Sequence, residues 1–318
     1  MHDQYCILLF YCYTKIDDPD QFREDHHLLC LNLNLRGRVI IAKEGLNGTV
    51  SGVIKDCESY MYSVKKDPRF RKIDFKKETH NKIAFTKLHV RVKDEIVNSG
   101  LKHLNPNLNS GKYIKPKDFK KILKSNDRET IILDVRSNYE HKIGKFKNAI
   151  TLDIDNFREF CNKINELDDH KNKKIITYCT GGVKCEKASG LLMEKGFKDV
   201  YQLHGGVINY GIKENGEDFE GKCYVFDNRI VSEVNTINPS VLSKCHVTGN
   251  PSDRMVNCAN PECNLHMPLS EEGAKLYKGC CSKACMDSPN VRIYNGTGNY
   301  QKEINGYDPS KGSKRLIC

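Results

Sequence analysis

One string, KKIITYCTGGVKCEKASGLLMEKG at residues 173–196, constrains this chain more than any other. A strand-type apolar run ends in a cysteine, two glycines follow, and a helical pattern begins within three residues. A buried strand feeding a helix in this way is the repeating unit of an open parallel sheet, whose ligands gather at the carboxyl ends of the strands. The glycines permit φ > 0, so the amides of Cys179, Thr180, Gly181, Gly182, Val183, Lys184 and Cys185 are expected to converge at the helix start. A thiol centred in such a nest is stabilised as its thiolate. Lys184 adds positive charge if it folds over the mouth. The competing reading, a core cysteine before a plain loop, gives no reason for Gly-Gly and a lysine to follow. Cys185 sits in the first helical turn, where it is either a resolving thiol or a buried core residue.

The segment around this string reads as α/β. PKDFKKILK opens a helix with Pro116 and Asp118 in its first turn. IILDV is a buried parallel-type strand, a further short strand is expected to pair with AITLDI, and FKDVYQLHGG gives the last strand and a turn. Asp134, at the end of IILDV, lies on the same carboxyl edge as Cys179. With Arg136 it either braces the Cys179 loop through charge-assisted hydrogen bonds or forms a structural ion pair. His204, in LHGGVINY, either reaches the pocket or only turns the chain.

Residues 1–98 predict an α+β unit in the order β-α-β-β-α-β, which is a ferredoxin-like sandwich. CILLFYCY is its first strand, and EGLNGTVSG supplies a glycine–asparagine turn feeding a short hairpin strand. Helices cover one sheet face and the other can stay open. Alternation in LHVRV puts Leu88, Val90 and Val92 on one side and His89, Arg91 and Lys93 on the other. That basic side is either a surface for RNA or a hydrated outer face. Residues 99–115 read as a linker, 116–220 as the catalytic α/β domain, 221–290 as a cysteine-rich module and 291–318 as a flexible tail.

Net charge is +10 and spread along the chain, which fits a polyanionic partner or simply solvated lysines. No apolar run approaches the roughly 20 residues that span a bilayer, and MHDQYCILLFYCY lacks a secretory cleavage signal. The cysteines number 15 in a chain of 318 residues, unlike a small secreted disulfide scaffold, so a reducing cytoplasm is expected. There a thiol is core filler, nucleophile or metal ligand. Cys245, Cys258, Cys263, Cys280, Cys281 and Cys285 are the candidates for a tetrahedral zinc site. No flavin, haem or non-haem iron motif is visible in the catalytic segment.

Taken together, IILDVRSNYEHKIGKFKNAI, YCTGGVKCEKA and YQLHGGVINY resemble the rhodanese domain pattern. With EGLNGTVSG and LHVRVKDEIV added, the chain resembles, over residues 5–285, the bacterial tRNA uridine(34) hydroxylases that contain a rhodanese domain. The resemblance implies an oxygen-dependent enzyme that makes 5-hydroxyuridine at the tRNA wobble position. It implies the anticodon arm as partner, dioxygen as co-substrate and Cys179 as the essential cysteine. A persulfide sulfurtransferase and a noncatalytic RNA-binding protein with a relic loop are the alternatives. Lys184 stands where the rhodanese loop usually has arginine, and Lys145 where a histidine is usual. The family pattern also implies cysteines at three positions occupied here by Thr248, Ser270 and Gly273.

Overall fold

The computed structural model describes residues 4–125, 127 and 129–294. Its first part comprises β1 (Tyr5–Tyr13), α1 (Pro19–Asn32), β2 (Arg36–Ala42), β3 (Gly45–Val53), α2 (Ile54–Lys66), β4 (Asp74–His80) and β5 (Leu88–Val92). The strand order β4-β1-β3-β2 is that of the ferredoxin-like sandwich, and β5 adds to its edge, parallel to β2. Local chemistry sets the helix ends. Asp18 accepts the Gln21 amide at 3.0 Å with Pro19 in the first turn, and α2 stops at Asp67, ahead of Pro68. The hairpin turn falls at Lys43 and Glu44, and Asn47 and Gly48 lie inside β3. Packing overrides the turn signal there: a Cβ on Gly48 would stand 2.9 Å from the Phe10 ring and 3.0 Å from Val39.

Leu8, Phe10, Val39, Ile41 and Val50 face α1 and α2 and form one core with Cys57, Tyr60 and Val64. The opposite face of this sheet is open only in part. Along β1 it is covered by the middle of the chain: Leu9 lies on Gly181, Tyr11 on Gly182, and the Tyr13 hydroxyl donates to the Val183 carbonyl at 3.4 Å. An alternating run of large apolar and aromatic residues on both faces of β1 is the physical reason, since neither face can be left in water cheaply.

The middle part comprises β6 (Lys112–Ile114), α3 (Pro116–Lys124), β7 (Thr130–Asp134), α4 (Asn138–His141), β8 (Gly144–Phe146), β9 (Ile150–Thr151), α5 (Phe160–Lys163), β10 (Lys174–Tyr178), α6 (Val183–Glu194), β11 (Asp199–Leu203) and α7 (Gly206–Glu214). The sheet order is β6-β11-β10-β7-β9, parallel at every pairing. Phe160, Leu191 and Leu192 pack on one face with Leu133 and Ile175. Phe119, Val207 and Ile208 pack on the other with Ile132 and Ile176. The stretch read as a linker is structural here. β6 is an edge strand, Leu101 and Leu104 are buried in the core, and their carbonyls accept the buried Lys187 ammonium at 3.1 and 2.7 Å.

β12 (Phe219–Gly221) pairs with β8, and β13 (Cys223–Tyr224) with β14 (Val231–Ser232). Cys223, Val225 and Val234 belong to the core of the middle part, so a separate cysteine-rich core starts only near Cys245. It holds β15 (Met255–Asn257), β16 (His266–Pro268), α8 (Glu271–Leu276) and α9 (Lys283–Met286). Of the predicted tail, residues 291–294 are described, and Val291 and Tyr294 pack on this core. The remainder of the tail lies outside the described residues.

Candidate active site and cysteine cluster

Cys179 follows the last residue of β10, and Gly182 caps α6 in the left-handed region at φ 105°. The Gly182 amide donates to the Cys179 sulfur at 3.1 Å. Burial pushes this thiol up. The Cys185 thiol, the Lys184 charge and the Cys185 and Gly182 amides outweigh burial and bring it down to about 7. Cys185 moves the other way: burial and the neighbouring Cys179 sulfur hold its proton on. Of the two sulfurs, Cys179 is the one that ionises first, with Cys185 as its protonated neighbour. The glycines have different reasons. Only Gly182 needs positive φ, whereas Gly181 is small because a Cβ there would stand 2.7 Å from Leu9.

The LHGGV turn holds the loop from behind. The Val207 and Ile208 amides donate to the carbonyls of Cys179 and Thr180 at 3.0 and 3.1 Å. A Cβ on Gly206 would stand 2.4 Å from the Cys179 carbonyl oxygen. His204 itself turns to Tyr113, ring edge to face at 5.2 Å, and its amide donates to Ile114. Its contribution is thus through the turn and the β6 edge.

Asp134 and Arg136 are both fully buried and form a two-pronged pair at 2.9 and 2.7 Å. Asp134 also accepts the Tyr178 hydroxyl at 2.7 Å, and Arg136 donates to the Gly144 carbonyl at 2.7 Å. They brace the residue before Cys179 rather than touch its sulfur. Lys184 reaches Glu140 at 2.5 Å and stands 5.7 Å over the Phe226 ring. Glu140 is itself fixed by a capping box with Ser137.

Several contacts at this site come from residues that local patterns do not flag. Glu186, nearly buried in α6, accepts from Tyr11 at 2.8 Å, Tyr113 at 2.5 Å and Gln202 at 3.0 Å. Thr180 donates through its hydroxyl to the Tyr224 carbonyl at 3.3 Å. The available signal was the pair of tyrosines, Tyr11 and Tyr13, at alternate positions on β1. Polar tips on a face of a buried strand require partners.

In the C-terminal part, four of the six candidate ligands come together. The sulfurs of Cys258, Cys263, Cys281 and Cys285 all lie within 4.8 Å of one another. Cys281 is 3.7 Å from Cys263 and 3.5 Å from Cys285. Four thiolates about 2.3 Å from a tetrahedral ion would be about 3.8 Å apart, so this group can hold a metal ion. Cys280 is buried beside Cys258, outside the four. Cys245 stands elsewhere, its sulfur accepting from the Thr248 amide at 3.4 Å and from the Ser270 amide and hydroxyl at 3.3 and 3.2 Å. A Cβ on Gly273 would be 2.8 Å from that sulfur. The three positions at which the resemblance implied cysteines thus surround Cys245, and Thr248 and Ser270 supply amide and hydroxyl donors to its sulfur.

Comparison with known proteins covers the same three parts. A family described as UPF0176 acylphosphatase like domain matches residues 5–96, a rhodanese-like domain matches 115–212, and a rhodanese C-terminal family matches 220–286. The solved BH2092 protein of Bacillus halodurans is 32% identical over 38% of this chain and 84% of its own, with a TM-score of 0.29. The tRNA uridine(34) hydroxylase of Bacillus thuringiensis (strain Al Hakam) is 46% identical over 91% of each chain. The tRNA uridine(34) hydroxylase of Cytophaga hutchinsonii is 59% identical over 98% of this chain and 99% of its own. With an identity of that order sustained from end to end, and with the Cys179 loop built as described, this chain belongs to the tRNA uridine(34) hydroxylase family.

Proposed function

We propose that this protein hydroxylates uridine 34 of tRNA to 5-hydroxyuridine, with dioxygen as oxidant and Cys179 as nucleophile. The observation that carries the reading is the held thiolate, a sulfur 3.1 Å from the Gly182 amide with Lys184 nearby, in a chain so close to proteins named for that reaction. Uridine C5 is a weak nucleophile. Addition of the Cys179 sulfur to C6 turns C5 into an enolate carbon. The Lys184 cation offsets negative charge as it develops on the base. A C–O bond then forms at C5, the C5 proton leaves, the S–C6 bond breaks and the ring double bond returns. Overall, one dioxygen with two electrons and two protons from a reductant places one oxygen on the base and one in water.

Cys179 is 1% exposed, so the flipped base reaches it only when the cover over the loop opens. Zinc is the metal we assign to Cys258, Cys263, Cys281 and Cys285, because four thiolates in a closed tetrahedron suit it and leave no open coordination position. Its role is to hold the C-terminal fold. No helix among the described residues is long and apolar enough to cross a membrane. A tRNA substrate and cysteines free of disulfides among the described residues favour the cytoplasm as its place.

Trapping tests the reading. A tRNA carrying 5-fluorouridine at position 34 has no C5 proton to lose, so the adduct with Cys179 is expected to persist and to appear by mass spectrometry on the peptide containing it. Full 5-hydroxyuridine formation by Cys179→Ser would end the proposal. Turnover of thiosulfate and cyanide with uridine 34 left unmodified would make Cys179 a persulfide carrier instead.

A further inference from the structure

The part of the N-terminal sheet that the middle domain leaves uncovered is basic, and no ion pair among the described residues neutralises its cations. β2 and β5 pair with Arg38 opposite His89 and Ile40 opposite Arg91. Val39 and Ile41 point into the core under the helices, so alternation sends Arg38, His89 and Arg91 to the other face. Arg38, Lys87 and Arg91 are exposed. None of the three forms an ion pair among the described residues, and neighbouring Arg36 donates only to the Leu35 carbonyl. Slight burial and the charges of Arg91, Arg38 and Lys87 hold the His89 imidazole below its usual value, a sign that these cations repel one another. Like charges set across neighbouring strands weaken a sheet. The fold gains nothing from gathering them, whereas a polyanion would.

The patch continues toward Cys179. Burial, the larger effect, pushes the Tyr224 phenol up, and Arg38 is near enough for its charge to act against that. The Tyr224 ring meets Phe226 edge-on at 5.3 Å, and Phe226 carries the Lys184 ammonium at 5.7 Å. The Phe226 ring is 45% exposed, with nothing apolar required of it by the core. Cations on a sheet face followed by an exposed aromatic are the two elements of a single-strand RNA surface: phosphates on the cations, a base on the ring.

We propose that Arg38, Lys87 and Arg91 grip the phosphates of the RNA strand flanking the target base, and that Phe226 is the platform on which a neighbouring base stacks. The proposal rests on the hydroxylase reading and gives it a docking direction, along β2 and β5 toward the Cys179 loop. The occupant is a single-stranded loop, because stacking on Phe226 needs an unpaired base.

The test is salt-dependent binding of the full-length protein to a fluorescent anticodon stem-loop with uridine at position 34. Each lost phosphate contact lowers the slope of log K against log salt by about 0.7 on single strands. The double variant Arg38→Gln/Arg91→Gln is expected to flatten the slope by about 1.4 and weaken binding accordingly. Phe226→Ala is expected to weaken binding about tenfold with the slope unchanged, and Phe226→Tyr to restore it. The control Lys65→Gln/Lys66→Gln, on α2 at the opposite sheet face, should leave both unaltered. An unchanged slope in the arginine variant, or an equal loss in the control, overturns the inference. So does polyglutamate that competes as well as RNA while Phe226→Ala has no effect, which would mark an acidic protein surface. If wild-type protein binds no anticodon arm, the hydroxylase reading fails with it; binding of unchanged strength and salt slope in Arg38→Gln/Arg91→Gln ends this inference alone.

Discussion

The Cys179 loop and the Cys258 cluster place the same side chain in opposite company. At Cys179 the sulfur faces a backbone amide, a lysine charge and one protonated thiol, so a single anion is stabilised and shares no ligand position with other thiolates. At Cys258 the sulfurs of Cys258, Cys263, Cys281 and Cys285 face one another within 4.8 Å. Thiolates brought together repel, so such sulfurs either keep protons or share a cation at their centre. The difference teaches that a thiol becomes nucleophile or chelator according to the charge that surrounds it, not according to how deeply it lies. Cys179 is buried and Cys285 only partly so, yet we read the buried one as the reactive group.

The sharpest way to break this comparison is a pair of substitutions. Cys179→Ser is expected to lower 5-hydroxyuridine formation at least about a thousandfold, since nucleophile and adduct both disappear, while bound metal stays constant. Cys258→Ser is expected to do the reverse at first order: about one equivalent of zinc is lost by elemental analysis and the C-terminal part unfolds at lower temperature. Loss of metal from Cys179→Ser, or full metal retention in Cys258→Ser, would collapse the distinction. Lys184→Gln probes the charge beside the thiolate. Alkylation of Cys179 in wild-type protein should rise through a midpoint of about 7 as pH increases, because the reactive form is the deprotonated one. In Lys184→Gln that midpoint moves up toward an ordinary thiol, and Lys184→Arg should keep it low. A pH profile unaffected by Lys184→Gln would leave the Cys185 thiol and the amides as its support. The smallest effect is expected from Tyr11→Phe, which removes a 2.8 Å hydrogen bond to Glu186 and should cost about 1–2 kcal/mol in denaturant unfolding. Glu186 retains Tyr113 and Gln202, so a larger loss would mean that the contact between β1 and α6 carries more of the fold than this reading gives it.

Much of the site was legible because it is local. A strand ending in Cys179, Gly182 with positive φ and a helix beginning at Val183 are all consequences of short-range sterics and hydrogen bonding. Asp134 was legible as an edge residue for the same reason, through strand period. Its pairing with Arg136, two residues on, was legible as well; that the pair holds Tyr178 and Gly144 was not, because those stretches meet only when the chain packs. The reason for Gly181 was also misplaced by local reasoning. Its constraint is Leu9, far away in sequence and against the loop in space.

The amino-acid sequence alone determined most strands and helices in the first two parts, β6 excepted, the thiol at the end of β10 and the supply of cysteines near the C-terminus. Hydrophobic period, proline and glycine act over a few residues, and such forces need no knowledge of the rest of the chain. Tertiary structure alone decided which four sulfurs meet and which half of the N-terminal sheet is covered. Those outcomes depend on apolar surfaces finding partners across long loops, and burial is blind to distance along the sequence.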